Sequence, residues 1–273
     1  MRLTAYRNDF SDKHCSANPA LNVINQMKIQ EISAKSVLSK SQVYDYAVNP
    51  YRGCSHACSY CYAAFMKRFT GHREPWGEFV DVKINAPEVL AKEITRKPMG
   101  RVWVSGVCDP YQPAEKKYIL TRKCLEILLG SDWPVTIQTK SSLVLRDIDI
   151  LKTPRKVEVG FSITTAEEKI RRIFEPGAST IKERINALKS LHAKGIKTFV
   201  MIAPLLPGAE MLPGELAGAV DFVLVDRLNY HYANRIYREN NMGWAIEDRF
   251  FAEKGDELKR GFERQGIPVN ILF

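Results

Sequence analysis

Three cysteines within eight residues constrain this chain more than any other feature. Cys54-Ser-His-Ala-Cys58-Ser-Tyr-Cys61 has the spacing C-x3-C-x2-C, whereas Cys15, Cys108 and Cys124 are scattered. Six cysteines in a short exported chain would suggest three disulfides, but 273 residues suffice to bury a core. The N-terminal MRLTAYRNDFSDKHC also lacks the apolar stretch of a secretory signal. On one tight loop, three thiolates reach three corners of an iron–sulfur cube and leave one iron without a protein ligand. A structural zinc is the alternative, and it wants a fourth ligand, usually from a second Cys or His pair. Neither His56 inside the loop nor His72 beyond it completes a familiar zinc spacing.

The longer run Asn49-Pro-Tyr-Arg-Gly-Cys54, continued by Tyr60-Cys61-Tyr62, resembles the signature of radical S-adenosylmethionine (SAM) enzymes, in particular their spore photoproduct lyase-like, DNA-repair branch. The resemblance implies a 4Fe-4S cluster on Cys54, Cys58 and Cys61. Its open iron would chelate the amino and carboxylate groups of SAM, and reduction would split the sulfonium to give a 5'-deoxyadenosyl radical. A reductant such as flavodoxin or ferredoxin is implied as a partner. Tyr60 corresponds to an aromatic that packs near the adenine. The implied fold is α/β, a partial (β/α)6 TIM-like barrel.

The residues predict that architecture independently. Short apolar runs at 45–49, 101–107, 134–140, 157–164, 197–204 and 221–226 read as parallel strands covered on both faces. Helical patterns alternate with them. One starts at Pro87, one runs over 117–129 to Gly130, and one begins with the capping-box spacing Thr180-x-x-Glu183 and closes at Gly195. Residues 268–273 (PVNILF) read as a seventh strand. The expectation is one domain, with a core at about 45–230, an N-terminal extension at 1–40 and a C-terminal one at 231–273.

Barrel sites form at the C-terminal ends of strands, so those ends are the candidate lining. The second strand ends in Ser105-Gly-Val-Cys108-Asp109-Pro110, which stands where the superfamily carries a stretch binding the SAM amino group. This marks Ser105 and Asp109, and the plain reading of Asp109-Pro110 is a turn. The third ends in Lys140-Ser141-Ser142, suited to an anionic group or to a helix cap. The fourth presents Ser162, placed like the residue that contacts the SAM ribose in related enzymes; downstream, Glu175 beside Pro176 and Arg184 on the following helix resemble this branch's pattern for ordering SAM. Arg184 would grip the SAM carboxylate, or simply form an exposed ion pair. The fifth, through Ala203–Gly208, would be an apolar rim seating adenine or shielding the radical, and the sixth adds polar groups at 226–231. Cys108 lies in the region where the lyase-like enzymes carry a cysteine that returns a hydrogen atom to the product radical. Cys124, on an apolar helix face, reads as packing.

Charge points the same way but more weakly. The formal net charge is +9, from 40 Lys+Arg against 31 Asp+Glu, with the surplus in residues 1–200 and an acidic tail. A nucleic acid is the partner this suggests; a small metabolite or peptide is the other substrate class, and a zinc-stapled nucleic-acid-binding module the non-enzymatic one. No stretch of about 20 apolar residues exists to span a membrane, so the expected setting is the cytoplasm, without membrane association.

Overall fold

The computed structural model describes residues 27–152 and 156–273. Cys15 and most of the expected N-terminal extension lie outside the described residues.

Eleven strands occur among the described residues: β1 (Lys28–Ile32), β2 (Leu38–Lys40), β3 (Tyr46–Val48), β4 (Tyr51–Arg52), β5 (Phe79–Lys83), β6 (Val102–Val104), β7 (Val135–Thr139), β8 (Val157–Ser162), β9 (Lys197–Ile202), β10 (Phe222–Val225) and β11 (Val269–Ile271). Eight form one sheet in the order β11-β10-β9-β8-β7-β6-β3-β2. Pairing from β3 through β11 is parallel, and only β2 runs antiparallel, against β3. Six of these parallel strands, β3 and β6 to β10, are those expected of the partial barrel; β11 is the seventh.

The near-continuous apolar strands follow from burial on both faces. Val102, Val104, Ile137, Val159, Phe161, Val200 and Ile202 are buried in the principal core. The residues alternating with them, Trp103, Gln138, Ser162 and Met201, line the concave face. One layer below, Phe199 stacks on Phe222 with centroids 5.2 Å apart, and Lys197 bonds Glu158 at 2.8 Å. These side chains lie nearer the N-terminal ends of their strands.

Helix Ile181–His192 starts with the expected capping box on Thr180 and Glu183. The helix expected over 117–129 is broken at Ile119, which takes a left-handed φ of 56° between Glu115–Tyr118 and Leu120–Gly130. The cause is the buried Glu115 carboxylate, which accepts the N–H groups of Thr121 at 3.0 Å and Arg122 at 3.3 Å and so caps the second helix. A three-stranded sheet, β1-β5-β4, was also unforeseen. It pairs the Tyr51–Arg52 stretch with β5 just before the cysteine loop.

Candidate active site

The first barrel strand runs directly into the cysteine run, and each residue of Asn49–Gly53 fixes that passage. Asn49 Oδ1 accepts from Ser105 Oγ at 2.6 Å and from the N–H groups of Gly106 at 2.9 Å and Val107 at 3.1 Å. These bonds replace ladder bonds, which is why β6 ends at Val104 rather than continuing to Val107. The Tyr51 hydroxyl reaches the buried Glu115 carboxylate. Arg52 Nε bonds Asp81 Oδ2 at 2.7 Å, and Asp81 also takes His72 Nε2 at 2.8 Å. Gly53 has φ +85°, and a Cβ there would stand 2.3 Å from the Phe79 carbonyl oxygen.

The loop itself is clamped from two sides. Gln112 is fully buried, donates to the Gly53 carbonyl at 3.1 Å and accepts from the Ser55 N–H at 3.0 Å. From the other side, Ser59 N–H bonds the Phe174 carbonyl at 2.9 Å, and Gly177 N–H bonds the His56 carbonyl at 3.0 Å. A Cβ on Gly177 would lie 2.3 Å from the Ser55 carbonyl, so only glycine permits this approach.

Cys54, Cys58 and Cys61 line one cavity, together with Tyr60, Ser105, Cys108, Asp109, Lys140 and Ser162. With its open mouth it encloses about 1120 Å³. All three cysteines are free thiols, and burial pushes the Cys58 thiol up to about 12. Iron would bind the thiolate, taking the place of the proton on sulfur. Among the described residues no three His, Cys, Asp or Glu side chains converge as a single metal ion requires. A cube offers each thiolate its own iron and needs no common point. Both histidines once weighed as zinc ligands are engaged elsewhere: His72 with Asp81 and Glu74, and His56 Nδ1 3.3 Å from Asp109 Oδ2. Trp103 Nε1 is buried without a hydrogen-bond partner and its residue lines the cavity. A polar atom left over in this way suits a bound polar ligand.

The remaining expected residues divide into two groups. Ser105, Cys108, Lys140 and Ser162 are in the lining. Cys108 Sγ is 3.0 Å from Ser105 Oγ and 3.4 Å from the Tyr51 carbonyl, and burial raises its thiol to about 12. Ser162 Oγ accepts from Gln138 at 3.0 Å. The Lys140 ammonium sits 5.6 Å from the Tyr60 ring centroid; burial disfavours its charge, but Cys58 and Glu175 outweigh this and raise its pKa.

Glu175 and Arg184 are absent from the lining. They form a fully buried ion pair at 2.5 Å, not the exposed pair considered from sequence. Arg184 also donates to the carbonyls of Ser179 at 2.8 Å and Ser162 at 2.9 Å. Glu175 takes Thr164 Oγ1 at 3.0 Å and the Tyr60 hydroxyl. Burial disfavours the Glu175 carboxylate, yet Arg184 and Lys140 hold its pKa below the ordinary value. Asp109 reaches the lining with both oxygens occupied, by Tyr111 N–H at 2.9 Å, Thr139 Oγ1 at 2.7 Å and Lys140 N–H at 2.7 Å. Burial alone would raise its pKa, but His56 and these donors lower it to about 2.

Ser141 caps the following turn by accepting from Leu143 N–H at 3.3 Å, and Ser142 N–H bonds Ser179. Of the apolar rim, Ala203 and Pro204 line the cavity while Leu205 and Leu206 are core. Cys124 is fully buried in the core. Sequence reasoning passed over Asn49, Gln112 and Trp103. Asn49 and Gln112 act through backbone groups whose positions no spacing reveals.

Residues 48–211 match the family model of the radical SAM superfamily. This chain belongs to that superfamily. It is therefore an enzyme of the radical SAM type, a family that works with SAM and an iron–sulfur cluster, and not a zinc-stapled binding module. An uncharacterized protein of Methanocaldococcus jannaschii is 33% identical over 79% of this chain and 86% of its own length. One from Mycobacterium tuberculosis is 34% identical over 65% of this chain, a match that takes in 56% of that protein. A radical SAM Nalpha-GlyT isomerase of Pseudomonas phage M6 is 25% identical over 58% of this chain and 33% of its own. Among solved structures, spore photoproduct lyase complexed with dinucleoside spore photoproduct shares the fold, with a TM-score of 0.67 at 16% identity, over 90% of this chain and 82% of that one. Streptococcus suis SuiB bound to its precursor peptide SuiA gives 0.52 at 13% identity, over 98% and 57%. No helix among the described residues is long and apolar enough to cross a membrane.

Proposed function

We propose that this radical SAM enzyme abstracts hydrogen from a nucleotide-bearing substrate at a 4Fe-4S cluster held by Cys54, Cys58 and Cys61. The observation that carries the reading is one cavity lined jointly by these three cysteines, Cys108 and the polar ends of three neighbouring strands. When bound and reduced, by a donor such as flavodoxin or ferredoxin, the cluster supplies the electron that splits SAM into methionine and a 5'-deoxyadenosyl radical. The protein's own residues hold, orient and shield.

Lys140 offers its ammonium to the SAM carboxylate, and Ser105 and Ser162 offer hydroxyls already oriented by Asn49 and Gln138. Glu175 and Arg184 are positioning residues: they lock Tyr60 and the Ser162 carbonyl from behind the cavity wall. Asp109 ties the Lys140 backbone to the cysteine loop through His56. Cys108 stands in the cavity lining, and burial favours its S–H form. It is thus poised to hand a hydrogen atom to a product radical, leaving a sulfur-centred radical behind. Ala203 and Pro204 keep water from the reacting carbon.

One fold-mate supports the nucleotide as substrate: the spore photoproduct lyase whose structure holds a dinucleoside spore photoproduct. The basic surplus of residues 1–200 fits as well. The test is anaerobic reconstitution with iron and sulfide, then reduction with SAM and a deuterated oligonucleotide. Expected are a brown chromophore, 5'-deoxyadenosine, and deuterium in that product; Cys58→Ala should lose all three. A Cys58→Ala protein that keeps both chromophore and 5'-deoxyadenosine overturns the ligand assignment, and absence of deuterium transfer overturns the substrate.

A further inference from the structure

Exposed aromatic rings lie along a path that leaves the cavity. Tyr62 and Tyr230 stand at its mouth. The Tyr230 ring stacks on Tyr232 with centroids 5.7 Å apart and planes within 3°. Tyr232 in turn lines a second depression, with Phe65, Lys67, Arg68 and His72. Tyr62, Phe65, Phe69, Tyr230 and Tyr232 are 41%, 40%, 59%, 48% and 50% exposed. So many large rings left in water along one path mark a contact surface rather than scattered surface residues.

The cations beside those rings are not neutralised locally, in contrast to several arginines elsewhere in the molecule. Arg122, Arg146, Arg227, Arg235 and Arg249 all hold carboxylates. Lys67, Arg68 and Arg73 have no carboxylate within ion-pair reach among the described residues. Lys67 instead donates to the Arg73 carbonyl at 3.2 Å, and Arg68 lies over the Phe69 ring at 4.6 Å and the Phe65 ring at 5.7 Å. Cations free of carboxylates, interleaved with exposed rings, are what a strand of phosphates and unstacked bases requires. A duplex hides its base faces within its own stack, and an acidic peptide would leave the rings unmatched.

We propose that this path binds single-stranded nucleic acid flanking the reacting nucleotide, its bases on Phe65, Tyr230 and Tyr232 and its phosphates on Lys67 and Arg68. The inference rests on the nucleotide reading above and extends it to the neighbouring residues of the strand.

The experiment is fluorescence anisotropy of the reconstituted protein with a labelled single strand of ~12 nucleotides, within the range such grooves cover. Tyr232→Ala and Phe65→Ala should each weaken binding roughly 5- to 100-fold, the effect of losing one base–ring stack. Tyr232→Phe should bind like the parent, and an unchanged cluster absorbance confirms the fold of each variant. Lys67→Gln combined with Arg68→Gln should reduce the slope of log affinity against log salt by about 1.4, two phosphates' worth on a single strand. Alanine variants that bind as the parent does overturn the proposal, as does a duplex of equal length binding equally well. Displacement of the strand by an acidic peptide but not by unlabelled oligonucleotide also overturns it. Deuterium transfer from a dinucleotide, too short to reach the groove, separates the two readings. If transfer fails while the alanine effects hold, the groove stands and the substrate reading falls; transfer with no alanine effect gives the reverse.

Discussion

At the scale of single residues, the site is held by side chains whose polar atoms are engaged within the protein. Asp109 shows this best, because one carboxylate joins the second strand's loop, the third strand's end and the His56 side chain. Its pKa of about 2 lies below the ordinary 3.8, so the folded state favours the charged form. A depressed carboxyl stabilises the protein above its unfolded pKa of about 4, and that contribution disappears as pH falls through 2. Asp109→Asn should therefore cost about 2 kcal/mol at neutral pH. The deficit relative to the parent should close as thermal unfolding is followed from pH 5 down to pH 2. A deficit that stays constant over that range would show that the charge is not what matters. Cys54, Cys58 and Cys61, marked by their spacing, share a cavity lining with Cys108 and Lys140, which were marked by their place at strand ends. The positioning role of Asp109 was not legible, since Asp-Pro reads locally as a turn and its partners at 139 and 140 arrive only through the fold.

At the scale of elements, strand-helix alternation was readable because each strand is a short apolar run closed by a turn. The missed features are those in which a distant side chain overrides local preference. Ile119 breaks a helical pattern because Glu115 captures the N–H groups of Thr121 and Arg122. The same carboxylate takes the Tyr51 hydroxyl and Arg146 Nη2, the latter at 2.7 Å. Glu115→Ala would leave a helix start, a phenol and a half-buried guanidinium without their acceptor. A loss of about 3 kcal/mol is expected, measured by denaturant unfolding. Because Tyr51 leads into the cysteine loop, the variant should also retain less iron after reconstitution. Full iron loading at reduced stability would separate the hub from the loop.

At the scale of the whole molecule, the open sheet has two edges, β2 and β11. β11 covers β10 through parallel pairing at Val223, Leu224 and Val225, and Phe273 packs edge-on against Phe251 with centroids 6.1 Å apart. Ending the chain after Ile267 would uncover the β10 edge and part of the amphipathic helix Asp248–Arg264. Such a protein should melt at lower temperature and scatter light in a concentration-dependent way. An unchanged melting temperature would mean that the sheet does not need its last strand. The charge surplus acts at this scale too: several arginines are neutralised locally, whereas Lys67 and Arg68 beside the exposed rings hold no carboxylate among the described residues.

The sequence by itself determined the cysteine triplet, whose motif resembles the radical SAM signature, and the succession of the barrel strands. These depend on local spacing and on short, near-continuous apolar runs, which a linear text preserves. Only the tertiary structure decided which of the strand-end side chains face the cavity. It buried Arg184 with Glu175 behind the wall, occupied both oxygens of Asp109, and aligned Tyr230 and Tyr232 with a helix more than 160 residues earlier in the chain. Burial and pairing are properties of neighbours in space, and the chain brings those neighbours together only when the sheet curls.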